Sequence, residues 1–286
     1  MKQRRIGDVE VGEIGLGGMP MSIEGRPDRA QAIATVHAAL DAGVTLIDTA
    51  DSYHVRADEV GHNESLVAEA LASWGGDTSH VLVATKGGHV RPGDGSWTVD
   101  GSREHLRAAV EGSLRRLGVE QIGLYQFHRP DPTVPWGESV GVLAELLDEG
   151  TIRMAGVSNA NPAQIREAQQ VLGGRLVSVQ NQFSPYFRSS AQEIRVCTEM
   201  GLAFLAYSPL GGSSRASTLG DTRGALARSA VRHGVSPQQV ALAWELAQSP
   251  VVIPIPGASR PGSIVDSVKA SDLHLAPDEV TELNAE

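Results

Sequence analysis

The chain has 286 residues, of which 41% are hydrophobic and 20% charged, a composition that provides ample material for a folded core. Its formal net charge of -10 argues against nucleic acid or an anionic membrane surface as a partner. Cys197 is the single cysteine, which excludes an intramolecular disulfide and suits a reducing compartment. No apolar run approaches the roughly 20 residues of a membrane helix. We therefore expect a cytoplasmic protein.

Short apolar runs alternate with amphipathic segments along the chain. The first segment, "RIGDVEVGEI", predicts a hairpin that turns near Gly7 and Asp8. Eight candidate strands follow, at 14–18, 44–48, 80–85, 122–127, 152–158, 176–180, 202–207 and 251–255. Helical patterns lie between them, at 29–43, 63–75, 102–118, 138–150, 161–173 and 236–249. Ser102 and the pair Asn161–Pro162 are expected helix starts.

Apolar strands that are each followed by a helix predict a parallel sheet covered by helices. Eight such units in roughly 250 residues fit a closed (β/α)8 TIM barrel, here a single domain over 1–286 whose N-terminal β-hairpin closes the bottom. A doubly wound open sheet is the α/β alternative. Such a sheet would typically carry a dinucleotide fingerprint after its first strand, and "GLGGMPM" (15–21) is not GxGxxG.

Polar side chains stand at the ends of these strands, where a barrel has its active site. They are Asp48 with Tyr53, Lys86, His128, Ser158 with Asn159, Gln180, and Tyr207. Each alone has a plain structural explanation, such as turn capping or loop packing. Lys86 is harder to explain in this way, because a partly buried ammonium needs an anionic partner. Asp48 lies at the same level of the neighbouring strand and could supply it.

This set resembles the aldo-keto reductases, and among them the bacterial members with a short C-terminus. The motif "DTAxxY" stands at 48–53, the strand-three lysine in "VATKGG", and the strand-four histidine in "FHRPDP". "GVSN" at 156–159 and "YSPLGG" at 207–212 extend the likeness. The resemblance runs from about residue 5 to about residue 280.

The resemblance implies NADP(H)-dependent reduction of aldehydes and ketones to alcohols by hydride transfer. Tyr53 would donate the proton, and Lys86, held by Asp48, would lower the pKa of the phenol. His128 would hydrogen-bond the carbonyl oxygen and stabilise the developing alkoxide. These four residues are the predicted catalytic set, with no metal ion.

The cofactor site is also implied by the resemblance. Ser158, Asn159 and Gln180 would hold the carboxamide, and Tyr207 would stack on the nicotinamide. The backbone after strand seven, at Ser208, Pro209, Leu210 and Gly211, would approach the pyrophosphate. Ser259 and Arg260 would grip a 2′-phosphate, which favours NADPH over NADH. The predicted cofactor-binding set is completed by Met19, Asp48, Gly257, Ser263 and Asp266. Gly257, Ser263 and Ser267 depart from the lysine, arginine and asparagine of many relatives.

The substrate is expected to be a small carbonyl compound in an open pocket, because the long C-terminal loop of steroid- and sugar-reducing members is absent. The expected lining is Met19, Met21, 53–62, 89–97, Arg129, Trp136 and Tyr186. The protein is expected to be a monomer or a weak homo-oligomer.

Two other functions are compatible with the sequence. A metal-dependent barrel hydrolase could use His54, His62, His89 and His128, but it would need a His-x-His motif at the end of strand one, and that motif is missing. A redox sensor or regulatory protein could keep the cofactor site and turn over slowly. The complete catalytic set argues against lost catalysis without excluding a sensor role.

Overall fold

The computed structural model describes residues 1–216, 218–219 and 224–285. The chain begins with an antiparallel hairpin of β1 (Gln3–Ile6) and β2 (Val9–Gly12). Gly7 occupies the turn with φ +58°, a left-handed conformation that favours glycine. The predicted N-terminal hairpin and its turn are therefore confirmed.

Eight parallel strands follow, each overlapping one of the eight predicted runs. They are β3 (Leu16–Gly17), β4 (Leu46–Asp48), β5 (Leu82–Gly87), β8 (Ile122–Phe127), β9 (Ile152–Ser158), β10 (Leu176–Gln182), β11 (Ala203–Tyr207) and β12 (Val252–Pro254). Each pairs with its neighbour in chain order. A short hairpin of β6 (His89–Val90) and β7 (Thr98–Val99) lies between β5 and β8 and was not expected.

The sheet closes into a barrel where β3 meets the segment after β12. The amides of Gly15 and Gly17 donate to the carbonyls of Pro254 and Pro256, at 2.9 and 3.0 Å. Glycine is required at position 17, because a Cβ there would lie 2.8 Å from the carbonyl oxygen of Ile255. The closed (β/α)8 barrel is confirmed and the open doubly wound alternative is wrong.

Helices cover the outer face of the barrel. They are α1 (Arg29–Asp41), α2 (His62–Ser73), α3 (Arg103–Leu117), α4 (Trp136–Asp148), α5 (Pro162–Val171), α6 (Ala191–Met200), α7 (Ser213–Ala216), α8 (Ala225–His233), α9 (Pro237–Gln248), α10 (Pro261–Val268) and α11 (Pro277–Asn284). The two predicted helix starts are confirmed, since the side chains of Ser102 and Asn161 accept hydrogen bonds from the first-turn amides of α3 and α5. No helix in the described part of the chain is long and apolar enough to cross a membrane.

Two apolar layers hold the barrel together. The inner layer fills the lower barrel with small and branched side chains from the hairpin and the strands, among them Ile6, Val11, Leu46, Leu124 and Leu205. The outer layer lies between the strands and the helices and includes Phe127, Val140, Phe204 and Trp244. The apolar filling of the lower barrel leaves the carboxyl ends of the strands as the end where polar side chains gather.

The hairpin is fastened across the bottom of the barrel by Arg4. Its guanidinium donates to the carbonyl of Leu246 at 2.8 Å, to that of Ser249 at 2.6 Å, and to that of Val252. Its Nε lies 3.5 Å from a carboxylate oxygen of Glu13. Burial lowers the pKa of Arg4, and the neighbouring Glu13 opposes that change. A nearly buried cation therefore satisfies carbonyls at the α9–β12 junction, a purely structural role.

Replacing Arg4 with Met should lower the free energy of unfolding by on the order of 3 kcal/mol, because buried charge-assisted hydrogen bonds are lost and Glu13 loses its partner. Arg5 is the matched control, since it lies in the same strand and is exposed. Arg5→Met should change stability by less than about 0.5 kcal/mol. Urea unfolding monitored by circular dichroism measures both, and equal effects of the two variants would contradict the assignment.

Candidate active site

A buried ion pair lies at the carboxyl ends of β4 and β5. Lys86 Nζ donates to Asp48 Oδ2 at 2.7 Å, and the two side chains are 0% and 4% exposed. The strand register sets this pair, because Asp48 aligns with Ala84 and Lys86 lies two residues further along the same face of β5. The ionic partner expected for Lys86 is therefore present.

The turn after β4 brings the phenol of Tyr53 back to the same ammonium group. The amides of Thr49 and Asp51 donate to the carbonyls of Ala84 and Lys86, so the chain continues beside β5 before it turns. Lys86 Nζ then donates to the carbonyl of Thr49 at 2.9 Å and to Tyr53 Oη at 3.0 Å. The structure thus joins Asp48, Lys86 and Tyr53 in one hydrogen-bonded chain.

Burial dominates the protonation of this group. Burial raises the pKa of Tyr53 to about 12, and the charge of Lys86 only partly opposes it. Burial also disfavours the charged form of Lys86, but Asp48 and Tyr53 outweigh that effect and the pKa of the ammonium is raised. The sequence predicted that Lys86 lowers the pKa of the phenol, and Lys86 does act in that direction. The prediction of a lowered pKa is nevertheless wrong, because desolvation of the phenolate raises the pKa by more than Lys86 lowers it.

His128 follows β8 directly, and its ring packs against Tyr53. The ring centroids are 5.8 Å apart in an edge-to-face arrangement, and the backbone amide of His128 donates to the carbonyl of Gly87. Burial lowers the pKa of His128 well below its usual value, and the positive charge of Lys86 acts in the same direction. The imidazole is therefore neutral at physiological pH and can donate one hydrogen bond toward the barrel mouth.

The polar residues at the ends of β9 and β10 form a continuous network with this group. Gln180 Nε2 donates to Asp48 Oδ1 at 2.7 Å, and Ser158 Oγ donates to the carbonyl of Gln180. Asn159 Nδ2 donates to the carbonyl of His128 at 3.0 Å, and Tyr207 Oη donates to Asn159 Oδ1 at 2.8 Å. All predicted polar strand ends from β4 to β11 thus lie around one opening.

Backbone strain marks the same opening. Among the described residues, Asn159 and Ser208 are the non-glycine positions with positive φ, at +57° and +51°. They directly follow β9 and β11. Such conformations cost free energy and occur where the surrounding structure enforces a particular local geometry, often at binding sites. Two residues predicted from the resemblance to bind a cofactor are therefore also the strained ones.

The segments after β11 and β12 approach the same end of the barrel. Ser208, Leu210 and Gly211 are partly exposed, whereas Pro209 is buried. Gly257 is exposed and bridges to Gly17, and a Cβ at 257 would lie 2.7 Å from the ring of Pro20. The predicted residue Met19, beside that proline, is 37% exposed. These backbone segments are accessible from the mouth without a bulky side chain between them.

The start of α10 carries the predicted phosphate-binding residues. Arg260 is the N-cap residue and is exposed, and Ser259 precedes it with its carbonyl bound to Gln31 Nε2. Ser263 is half-buried in the first turn. Asp266 differs from the others, because its two oxygens accept from Ser236 Oγ and Gln239 Nε2, each at 2.6 Å. Its carboxylate thus binds the start of α9. The predicted contact between Asp266 and the cofactor stays a prediction.

The expected pocket lining is only partly correct. His89 stacks on Trp97 at 4.6 Å and meets His128 edge-on at 4.9 Å, so the β6–β7 hairpin does stand over the site. Met21 is instead buried against α1 and α2 in the outer layer. Trp136 packs on Phe127 and donates to the carbonyl of Gln164. The predictions that Met21 and Trp136 line the pocket were wrong. A side chain after a strand or at a helix start can face either the opening or the layer between strands and helices.

A second buried polar cluster lies beside the group of Asp48, Lys86 and Tyr53 and was not expected. Arg116 Nε and Thr85 Oγ1 donate to the two oxygens of Glu64 at 2.6 and 2.5 Å. Burial, and then the negative charge of Glu64, raise the pKa of Asp51 to about 8. Asp51 Oδ1 has no hydrogen-bond partner among the residues that the structure describes. The backbone of Asp51 structures the loop after β4. Its carbonyl does accept from the amide of Gly61, but its side chain is a buried acid.

Asp51 should make stability depend on pH. Because its folded pKa of about 8 lies above the usual value near 3.9, the folded protein keeps a proton that the unfolded chain releases between about pH 4 and pH 8. Stability therefore falls as the pH rises through this window and levels off above it. Asp51→Asn removes this dependence and should be more stable than the original chain at pH 8.5, by on the order of 2 kcal/mol.

Urea unfolding of both proteins from pH 5 to pH 9 measures this effect. The advantage of the Asn variant should grow with pH up to about 8, the pKa of Asp51, and then stay constant. Parallel pH profiles for the two proteins would contradict the protonated state of Asp51.

Of the four histidines considered for a metal site, His89 and His128 are in ring contact, whereas His54 and His62 bind other groups. His54 Nδ1 is 2.7 Å from the carbonyl of Arg56, and His62 Nδ1 is 2.8 Å from Ser22 Oγ. Over the described ranges, the structure contains no group of three or more His, Cys, Asp or Glu side chains that could hold a metal ion. The metal-dependent hydrolase therefore has no support in this geometry.

Fold and site together define a (β/α)8-barrel enzyme whose reactive groups stand at the carboxyl ends of its strands. The sequence matches the Aldo/keto reductase family over residues 13–285, and the chain belongs to this family of oxidoreductases. It is 36% identical over 286 residues to an uncharacterized oxidoreductase of Schizosaccharomyces pombe, covering 99% of this chain and 89% of the relative.

Solved structures of similar proteins agree with this assignment. An aldo/keto reductase from Klebsiella pneumoniae in complex with NADP and acetate superimposes with a TM-score of 0.82 at 28% identity, covering 99% of this chain and 94% of that one. The glycerol dehydrogenase of Gluconobacter oxydans has the same TM-score of 0.82, identity of 28% and coverage of 99% and 94%.

Proposed function

We propose that this protein reduces aldehydes and ketones to alcohols with NADPH, and that Tyr53 donates the proton. The observation that carries the proposal is the chain of hydrogen bonds from Asp48 through Lys86 to Tyr53, with distances of 2.7 and 3.0 Å. Reduction of a carbonyl adds a hydride to carbon and a proton to oxygen. A phenol hydrogen-bonded to a permanently charged ammonium can give up that proton at the moment the alkoxide forms.

Lys86 supports proton loss from Tyr53 electrostatically. Once the proton leaves, the phenolate stands 3.0 Å from the ammonium in a site with little water, where such an attraction is strong. Asp48 keeps Lys86 charged and fixes its position. Because the pKa of Tyr53 is about 12, the phenol remains protonated at neutral pH. Carbonyl reduction requires this protonation state, since Tyr53 must hold the proton that it donates.

His128 orients the carbonyl group in this proposal. The low pKa of its imidazole keeps the ring neutral, so it can donate a hydrogen bond without adding a second positive charge beside Lys86. Its ring packs edge-on against Tyr53, so a carbonyl oxygen at the mouth could receive a hydrogen bond from each. Two donors aimed at the oxygen stabilise the negative charge that develops there.

The residues at the strand ends suit a nicotinamide dinucleotide, which when bound supplies the hydride. Tyr207 offers a half-buried aromatic ring for stacking, and Ser158, Asn159 and Gln180 offer amide and hydroxyl groups. Backbone at 208–211 and the start of α10 suit the two phosphate positions. The relative from Klebsiella pneumoniae was crystallised with NADP and, in another structure, with NADPH, which supports the choice of cofactor.

The preference for NADPH is assigned to Arg260. This residue caps α10 and is exposed, and its guanidinium has no ion-pair partner among the described residues. An arginine can bind a 2′-phosphate through charge-assisted hydrogen bonds. The protein is further proposed to be a single cytoplasmic domain that is a monomer or a weak homo-oligomer, with no metal ion in its chemistry.

Replacing Tyr53 with Phe removes the proton donor and leaves the ring that packs on His128. Carbonyl reduction should fall by at least about 100-fold, while NADPH binding is kept. Carbonyl reduction is measured with several aldehydes from the change in nicotinamide absorbance. NADPH binding is measured by fluorescence titration. Undiminished reduction by the Phe variant would overturn the role of Tyr53. Tight NADPH binding with negligible turnover of every aldehyde by the unaltered protein would favour the regulatory alternative.

Arg260→Met should weaken NADPH binding by about 10-fold to 100-fold, the loss expected for one or two charge-assisted hydrogen bonds. NADH binding should change by less than about threefold, because NADH has no 2′-phosphate. Lys269→Met is the control, since Lys269 is an exposed cation at the other end of α10. Fluorescence titrations of the unaltered protein and the two variants with NADPH and with NADH measure these affinities. Equal losses for NADPH and NADH, or a clear NADH preference of the unaltered protein, would contradict the assignment.

A further inference from the structure

Arg129 is an exposed cation at the edge of the catalytic opening. It follows His128 directly at the end of β8, and no Asp or Glu oxygen of the described residues lies within ion-pair distance of its guanidinium. Many other arginines are paired in this way, for example Arg26 with Glu59 and Arg116 with Glu64. Arg129 is therefore a cation without a described counter-ion, next to His128, in a chain of net charge -10.

The charge of Arg129 affects the pKa values of side chains around the opening. Burial lowers the pKa of His89 to about 4, and Arg129 is the strongest of the charges acting in the same direction. The charge of Arg129 also acts on His128, and Arg129 lowers the pKa of Tyr207 against the larger, opposite effect of burial. The guanidinium therefore lies among three residues that surround the position proposed for the carbonyl group.

Two other cations act on His89, Lys86 and Arg91, and both are already engaged. Lys86 is fully buried and bound to Asp48. Arg91 is nearly buried, donates to Glu24 and to the carbonyl of His54, and lies over the ring of Trp97. Burial keeps the imidazoles of His89 and His128 neutral. Of the three cations that act on His89, Arg129 is thus the exposed one that can meet a substrate.

We propose that Arg129 is a specificity-determining residue that binds a carboxylate carried by the carbonyl substrate. The inference rests on the proposed reductase function and names the substrate class as aldehydes or ketones that bear a carboxylate. A guanidinium matches the planar carboxylate with two parallel hydrogen bonds. A single free cation suits a monoanion better than a phosphate dianion, which would require a second positive partner.

Two aldehydes of nearly equal shape test the proposal. 4-Carboxybenzaldehyde carries the anion, and 4-formylbenzamide replaces it with a neutral amide. Arg129→Met should lower kcat/KM for the carboxylate by about 10-fold to 100-fold, as expected for a lost charge-assisted pair, mainly through KM. The amide should change by less than about threefold. Arg129→Lys should recover part of the preference, and added salt should weaken the preference of the unaltered protein.

Two further variants separate binding from a structural role. Arg5→Met removes one positive charge at the opposite end of the barrel and should leave both substrates unaffected. Tyr207→Phe removes the hydroxyl that Arg129 contacts but keeps the guanidinium. Even if this variant changes both rates, the ratio of kcat/KM for 4-carboxybenzaldehyde to kcat/KM for 4-formylbenzamide should be preserved. A ratio that collapses in the Phe variant as fully as in Arg129→Met would show that the arginine acts only by positioning Tyr207, and would overturn the proposal.

The outcomes also distinguish the inference from the function on which it rests. If the unaltered protein reduces neither aldehyde, nor any neutral aldehyde, with NADPH or NADH, the proposed function itself fails. If it reduces both equally well, or if Arg129→Met lowers both to the same extent, the reductase function stands and the carboxylate site is wrong.

Discussion

The buried pair of Lys86 and Asp48 is the interaction on which the site depends. Removing an ammonium and a carboxylate from water costs several kcal/mol for each ion, and only close geometry with further hydrogen bonds recovers it. Lys86 uses three acceptors, the oxygens of Asp48, Thr49 and Tyr53. The requirement to satisfy all three donors therefore constrains the register of β4 on β5 and the path of the turn between them.

The same requirement explains where the chemistry can take place. The lower barrel is filled by apolar side chains, in which an unpaired charge would be costly. The strand ends offer backbone carbonyls and polar side chains that satisfy the ammonium, and a short turn there can return a phenol to it. The proton transfer proposed for Tyr53 and the structural satisfaction of Lys86 use the same hydrogen bonds, so loss of any partner is expected to affect both.

Much of the fold was predictable from sequence because each unit repeats a local signal. An apolar run followed by an amphipathic helix, with capping residues such as Ser102 and Asn161, is visible without tertiary information. The polar strand ends were equally visible, because Asp48, Lys86 and His128 interrupt apolar runs at equivalent positions. Parallel strands bring such positions to one end of a sheet, so their proximity could be inferred before any contact was known.

Other features depend on tertiary burial and could not be predicted. The net pKa of Tyr53 reflects the balance between desolvation and the charge of Lys86, and sequence gives no measure of the former. Asp51 and Glu64 lie 13 positions apart, and only the fold places their charges together. Met21 and Trp136 were assigned to the pocket because they follow strands in the chain. Their side chains face the helical layer, a choice that local sequence does not encode.

The hydrogen bond between Asp48 and Gln180 has a mechanical consequence. Its two strands, β4 and β10, are separated by three others in the order of the sheet, so the bond of 2.7 Å spans the barrel instead of joining neighbours. It forms a polar floor beneath the opening. The upper barrel cannot widen without stretching this charge-assisted hydrogen bond. A ligand can enter the barrel no deeper than the side chains of Asp48 and Gln180.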